Sequence, residues 1–123
     1  MCVKKKMNSD FQLAKENFDK GTKSFNDGLY LDAEEYFNLS LKFLPDRVST
    51  LSSLLICKIS LKKINECDEI ILKINSIDAD YPYGIYAKAL YFGLKLDFLK
   101  SKQELLSIIN KKDLPKENLS TFF

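Results

Sequence analysis

Apolar and polar positions along this chain recur in steps of 34 residues. Ala33, Cys67 and Ser101 stand one step apart, and each is small. Tyr30, Ile64 and Phe98 share a second phase. Phe37, Ile71 and Leu105 share a third, and Ser40, Ile74 and Ile108 a fourth. No gap breaks the register, so the period reflects packing. A step of this size marks a stack of supersecondary units, none of which buries its apolar face alone.

Within one step the pattern predicts two helices and a turn. Ser9-x-x-Gln12 reads as a capping box opening the first helix, which runs to about Asp27. Gly28 supplies the left-handed turn residue. A second helix follows from about Leu31 to about Leu44, with Ala33, Phe37, Ser40 and Leu41 on one face. Pro45 and Asp46 end that pair. The next pair is expected from about Arg47 to Leu61 and from about Asn65 to Ser76. The third opens at Asp80 as an N-cap, with Pro82 in the first turn. It runs to about Leu96, and its partner from Phe98 to about Asn110. Residues 1–8, with Lys4, Lys5 and Lys6, are expected as a flexible basic terminus. Residues 9–113 form the array, in repeats of about 14–47, 48–81 and 82–115. Residues 114–123 are read as a capping or truncated helix.

The residues at these phases resemble the tetratricopeptide (TPR) motif, whose pattern runs W-x2-L-G-x2-Y, then A-x3-F, then P. Gly21 takes the first glycine, Gly28 and Tyr30 the turn, Ala33 and Phe37 the A-x3-F, and Pro45 the closing proline. The second and third units keep the sizes but lose the Gly and Pro signatures. Leu55, where a small residue is usual, is the clearest departure. The resemblance implies an all-α, right-handed α-solenoid of three hairpins plus a short C-terminal stub helix. It implies a non-catalytic protein–protein interaction module with a concave groove.

By the same resemblance, the groove face of the first helices carries Phe18, Thr22 and Phe25, then Ser52, Ile56 and Ile59, then Tyr83, Tyr86, Leu90 and Leu94. Such an apolar and aromatic strip suits an apolar peptide or helix. Aromatic residues at helical spacing also serve as plain core, and that reading stands beside it. The best-known groove of the family grips a terminal carboxylate with lysine, arginine and asparagine. Phe18, Thr22, Ser53, Tyr83 and Ala87 hold those phases here, so no such clamp can be assembled.

The two ends of the array differ. Asn17, Lys20 and Ser24 give the first helix a polar outer face, as a terminal unit requires. At the far end Leu105 and Ile109 hold phases that a following helix would cover. Leu119 and Phe122 fall two periods beyond Leu51 and Leu54. The expectation is an apolar edge covered by the stub, by another copy, or by further chain. Two rivals to the docking module follow from it: the recognition domain of a larger enzyme such as a transferase, and a self-assembling structural protein.

Composition narrows the chemistry. A net charge of +2 with Arg47 as the lone arginine argues against nucleic-acid recognition. The absence of histidine removes the commonest general base and zinc ligand. Asp32, Glu34 and Glu35, like Asp68 and Glu69, read as acids meeting helix dipoles rather than as catalytic pairs. Asp78-x-Asp80 with Gly84 misses the calcium-loop spacing by one residue. Neither a catalytic set nor a metal site is assigned, and no cofactor is expected. The odd set Cys2, Cys57 and Cys67 lacks metal spacing and suits a reducing cytoplasm. No apolar run is long enough for stable membrane insertion.

Overall fold

The computed structural model describes residues 2–95 and 98–112, with side chains for 9–95 and 102–109. It is all-helical. The order is α1 (Cys2–Asn26), α2 (Tyr30–Phe43), α3 (Val48–Ser60), a 3-10 turn (Ile64–Glu66), α4 (Cys67–Asp78), α5 (Pro82–Leu94) and α6 (Phe98–Lys112). Helices α1, α3 and α5 end at Asn26, Ser60 and Leu94, in steps of 34 residues. The starts of α3 and α5, at Val48 and Pro82, keep the same step.

Two boundaries differ from the sequence reading. Helix α1 starts at Cys2, so Ser9 lies inside it and does not cap it. The Gln12 amide instead donates to the Glu16 carboxylate one turn on, at 3.0 Å. Tyr81 rather than Asp80 stands at the N-cap of α5, with extended backbone forced by the proline that follows.

The turns show why the step recurs. Gly28 has φ +80°, and its N–H donates to the Phe25 carbonyl while the Leu29 N–H donates to the Ser24 carbonyl. That pair of bonds is a Schellman motif. One period later the Lys62 N–H donates to Ile59 and the Lys63 N–H to Lys58, with Lys62 at φ +61°. The same turn is therefore built twice, once on glycine and once on a residue whose Cβ opposes it.

Three apolar clusters lie in series. Ala33 and Phe37 of α2 meet Leu54 and Cys57 of α3. Leu51 and Leu55 of α3 then meet Cys67, Ile71 and Ile74 of α4 and Ala87 and Tyr91 of α5. Ile85 and Ala89 of α5 meet Leu105 and Ile108 of α6. Leu41 and Ile70 pack against both of the first two clusters, so these form one continuous core. The closest approach is at Gly21, where an added Cβ would lie 2.7 Å from the Phe37 ring.

Lys62→Gly is expected to stabilise the chain by about 0.5–1 kcal/mol, the relief of left-handed strain less the added chain entropy. Gly28→Ala is expected to cost about 1 kcal/mol. Urea midpoints should move in opposite directions with an unchanged slope.

Candidate functional site

The first helices of the three pairs converge on a cleft of about 130 Å³. It is lined by Thr22, Phe25 and Asn26 of α1, Ser53 and Ile56 of α3, Tyr83 of α5 and Phe37 of α2. Every lining side chain is uncharged. The Phe25 ring is held tilted against Tyr30 at 5.1 Å, and the Thr22 hydroxyl donates to the Phe18 carbonyl at 3.0 Å. What the cleft offers is apolar surface edged by a hydroxyl and an amide. Its size suits one or two side chains of a docked segment.

Of the ten groove residues expected from the pattern, Thr22, Phe25, Ile56 and Tyr83 meet in this cleft. Tyr83 also stacks on Tyr86, with ring centroids 6.5 Å apart. Tyr86, Leu90 and Leu94 continue as an exposed stripe along α5. The other three sit differently. Phe18 is half-buried against Phe37, with the Arg47 guanidinium 5.5 Å from its ring centre. Ile59 packs against the core that joins α3, α4 and α5. Ser52 is 0% exposed and donates to the Val48 carbonyl at 2.8 Å, because α5 crosses over it at Gly84. Asn26, Phe37 and Ser53 are not in the expected groove set. Asn26 could have been found, since it follows Thr22 by one helical turn.

The expected apolar edge takes a different form. Leu105 is 7% exposed and Ile109 5%, so neither presents an open face. Leu105 packs inward with Ile108 onto Ile85 and Ala89 of α5. Leu119 and Phe122 lie outside the described residues.

A buried ionic clasp joins α2 to α3 behind the cleft. Lys58 donates to the Glu34 carboxylate at 2.5 Å and to Glu66 at 2.6 Å, and Lys63 donates to Glu34 at 2.8 Å. Burial pushes the Glu34 carboxyl up, but hydrogen bonds from Lys58 and Lys63 outweigh it and hold the group below its ordinary value. Burial likewise lowers Lys58, yet Glu34 and Glu66 carry it above the ordinary lysine value. One period on, Asp68 accepts the Tyr91 hydroxyl at 2.5 Å, and Lys95 donates to the same hydroxyl oxygen at 3.2 Å. Burial and the Asp68 carboxylate together raise the Tyr91 phenol. Glu34, Lys58 and the Tyr91 ring are buried, and Glu66, Asp68 and Lys95 close the two networks at the surface.

Cys57 and Cys67 are buried free thiols. Burial, reinforced by Glu34 for Cys57 and by Asp68 for Cys67, pushes both up to about 11. Among the described residues no cluster of His, Cys, Asp and Glu is placed to hold a metal ion. Among them, too, no helix is long and apolar enough to cross a membrane.

Two outcomes follow. Glu34→Gln leaves Lys58 and Lys63 facing a neutral group and is expected to cost roughly 2–4 kcal/mol at neutral pH. Glu34 has a depressed pKa, so its contribution is present above the unfolded-state value and lost as pH falls through the folded one. The Lys58 contribution is complete below its unfolded-state value and lost as pH rises through the raised one. The gap between wild type and Glu34→Gln should thus be flat across neutral pH and close in acid, as urea titrations at several pH values would report. In a Cys2→Ser chain, a thiol reagent at neutral pH should modify less than about a tenth of Cys57 and Cys67 until denaturant is added.

No protein-family model matches this chain, and a search of curated protein sequences found no match.

Proposed function

We propose that the chain is a right-handed stack of three TPR-like hairpins acting as a non-catalytic protein–protein interaction module. Its ligand is an apolar segment of another polypeptide, received by the cleft and by the adjoining stripe of α5. The observation that carries this reading is the cleft itself. Thr22 and Phe25, Ile56, and Tyr83 come from three separate first helices and converge on one uncharged hollow. The stacked tyrosines at 83 and 86 then extend it along α5. Aromatic side chains bury much area at the loss of few torsions, which makes them good anchors.

The hairpin reading is supported by helix ends in steps of 34 residues and by the Schellman turn repeated one period apart. It is also supported by apolar clusters that link each pair of helices to the next. Two free buried thiols fit a reducing compartment, and we assign the module to the cytoplasm on that basis. Leu105 and Ile109 of the alternative self-assembly edge are buried.

The test replaces Tyr86 with serine and Leu90 with lysine in one chain and compares partners retained from lysate with those of the wild type. Both positions are exposed, so the variant should keep its helical circular dichroism and its urea midpoint. Recovery of the specific partner should fall by about tenfold or more. Undiminished recovery by a folded variant would count against the surface.

A further inference from the structure

We infer that the inner end of the cleft recognises a single phenolic ring, the side chain of a tyrosine in the docked polypeptide. This rests on the docking function proposed above and names the side chain that the cleft takes. Two of the seven lining residues are deeply buried, Phe37 at 2% exposed and Ser53 at 8%. Thr22, Asn26 and Tyr83 are exposed, while Phe25 and Ile56 are half-buried. The cleft therefore opens at the exposed three and ends on a ring and a hydroxyl.

That hydroxyl sets the chemistry of the occupant. Other buried serines of the chain satisfy theirs: Ser40 donates to the Ala14 carbonyl at 2.7 Å and Ser52 to the Val48 carbonyl at 2.8 Å. The Ser53 side chain has no hydrogen-bond partner among the described residues, and it lines the cleft. Thr50 is also unpartnered, but its hydroxyl is sealed and does not line the cleft. An occupant that fills the cleft takes the Ser53 hydroxyl out of water. A purely apolar one would leave it buried and unpaired, at the cost of a lost hydrogen bond. The occupant therefore carries a hydrogen-bonding group at its tip. A charged tip would meet no counter-charge, because every lining side chain is neutral.

Size and lining then select the body. An apolar cavity of about 150 Å³ takes one benzene ring, and this cleft measures about 130 Å³. The rings of Phe25, Phe37 and Tyr83 can meet such a ring in offset or edge contact. The double ring of tryptophan is too large for the space. Tyrosine joins one ring to a neutral hydroxyl, which can donate to Ser53 or accept from it.

The test titrates the isotope-labelled full chain with p-cresol and toluene, the side-chain analogues of tyrosine and phenylalanine. Amide shifts in heteronuclear NMR spectra report both site and affinity. p-Cresol should move the amides of Thr22, Ser53 and Ile56 and bind about three- to tenfold tighter than toluene, the share of one net hydrogen bond. Ser53→Ala should abolish that preference and still bind toluene, which shows that the cleft remains folded. A capped Gly-Ala-Tyr-Ala-Gly peptide should shift the same amides, and its phenylalanine counterpart should bind about three- to tenfold more weakly. Toluene bound as tightly as p-cresol, or a preference unchanged in Ser53→Ala, would overturn recognition of the hydroxyl and leave the docking function standing. Shifts confined to residues outside the cleft would overturn the site itself. Cleft binding of p-cresol without binding of the tyrosine peptide would give the cleft to a free phenol and overturn a polypeptide occupant.

Discussion

Each pair of helices depends on how its first helix meets one bulky residue of its second. Phe37, Ile71 and Leu105 hold the same phase, and opposite them stand Gly21, Leu55 and Ala89. Where the ring of Phe37 is large, Gly21 yields its whole side chain and the helices touch at contact distance. Opposite Ile71 stands Leu55, and both are buried in one cluster. Leu105 and Ala89 are likewise buried together. The bulk between the two helices therefore differs from pair to pair, smallest at Gly21, where the Phe37 ring comes closest, and largest at Leu55. In a close-packed seam of this kind a methylene lost or gained is felt at once.

Helix ends were legible in the sequence, while the residue identities at each phase vary. Phase and size survive from unit to unit, so the helix ends and the inward positions could be read from the period. Identity does not survive: Leu55 stands where Gly21 and Ala89 are small, and α3 and α4 approach less closely than the helices of the other two pairs. The start of α1 was misread for a local reason. Ser9 and Gln12 match a capping box, but a capping box is a matter of backbone geometry as well as of residue type. The chain is already helical from Cys2. Leu105 and Ile109 are expected at a covered edge, and both are buried, Leu105 against Ile85 and Ala89 of α5.

The struts between pairs were invisible to pattern reading because they join residues far apart in sequence with no fixed spacing. Glu34 and Asp68 stand one period apart, and each reaches from a second helix to the next first helix. Their partners differ, a pair of lysines in one case and a tyrosine hydroxyl in the other. An acid at a helix amino end is ordinarily explained by the dipole. Glu34 and Lys58 are too deeply buried for it to suffice in the folded chain. A buried pair of this kind adds little net stability over an apolar one, but it penalises any arrangement that separates its members. By that argument the clasp favours the arrangement in which α2 and α3 lie side by side.

The groove residues divided according to whether another helix follows them. Ser52 and Tyr86 occupy one phase, yet the first is wholly covered by α5 and the second carries an exposed ring. A single-sequence reading assigns both to one face and cannot separate them, because burial depends on the neighbour and not on the residue. The chemistry of the two positions is nonetheless consistent with their fates. Serine leaves room for the close crossing at Gly84, while tyrosine presents a wide ring with a polar tip. A buried tyrosine needs a partner for its hydroxyl, as Tyr91 finds in Asp68, whereas a tyrosine at a rim can keep its hydroxyl in water and its ring against apolar surface. Tyr83 and Tyr86 fit the second description, which is why their pairing beside the cleft argues for contact with another polypeptide rather than for an unfinished core.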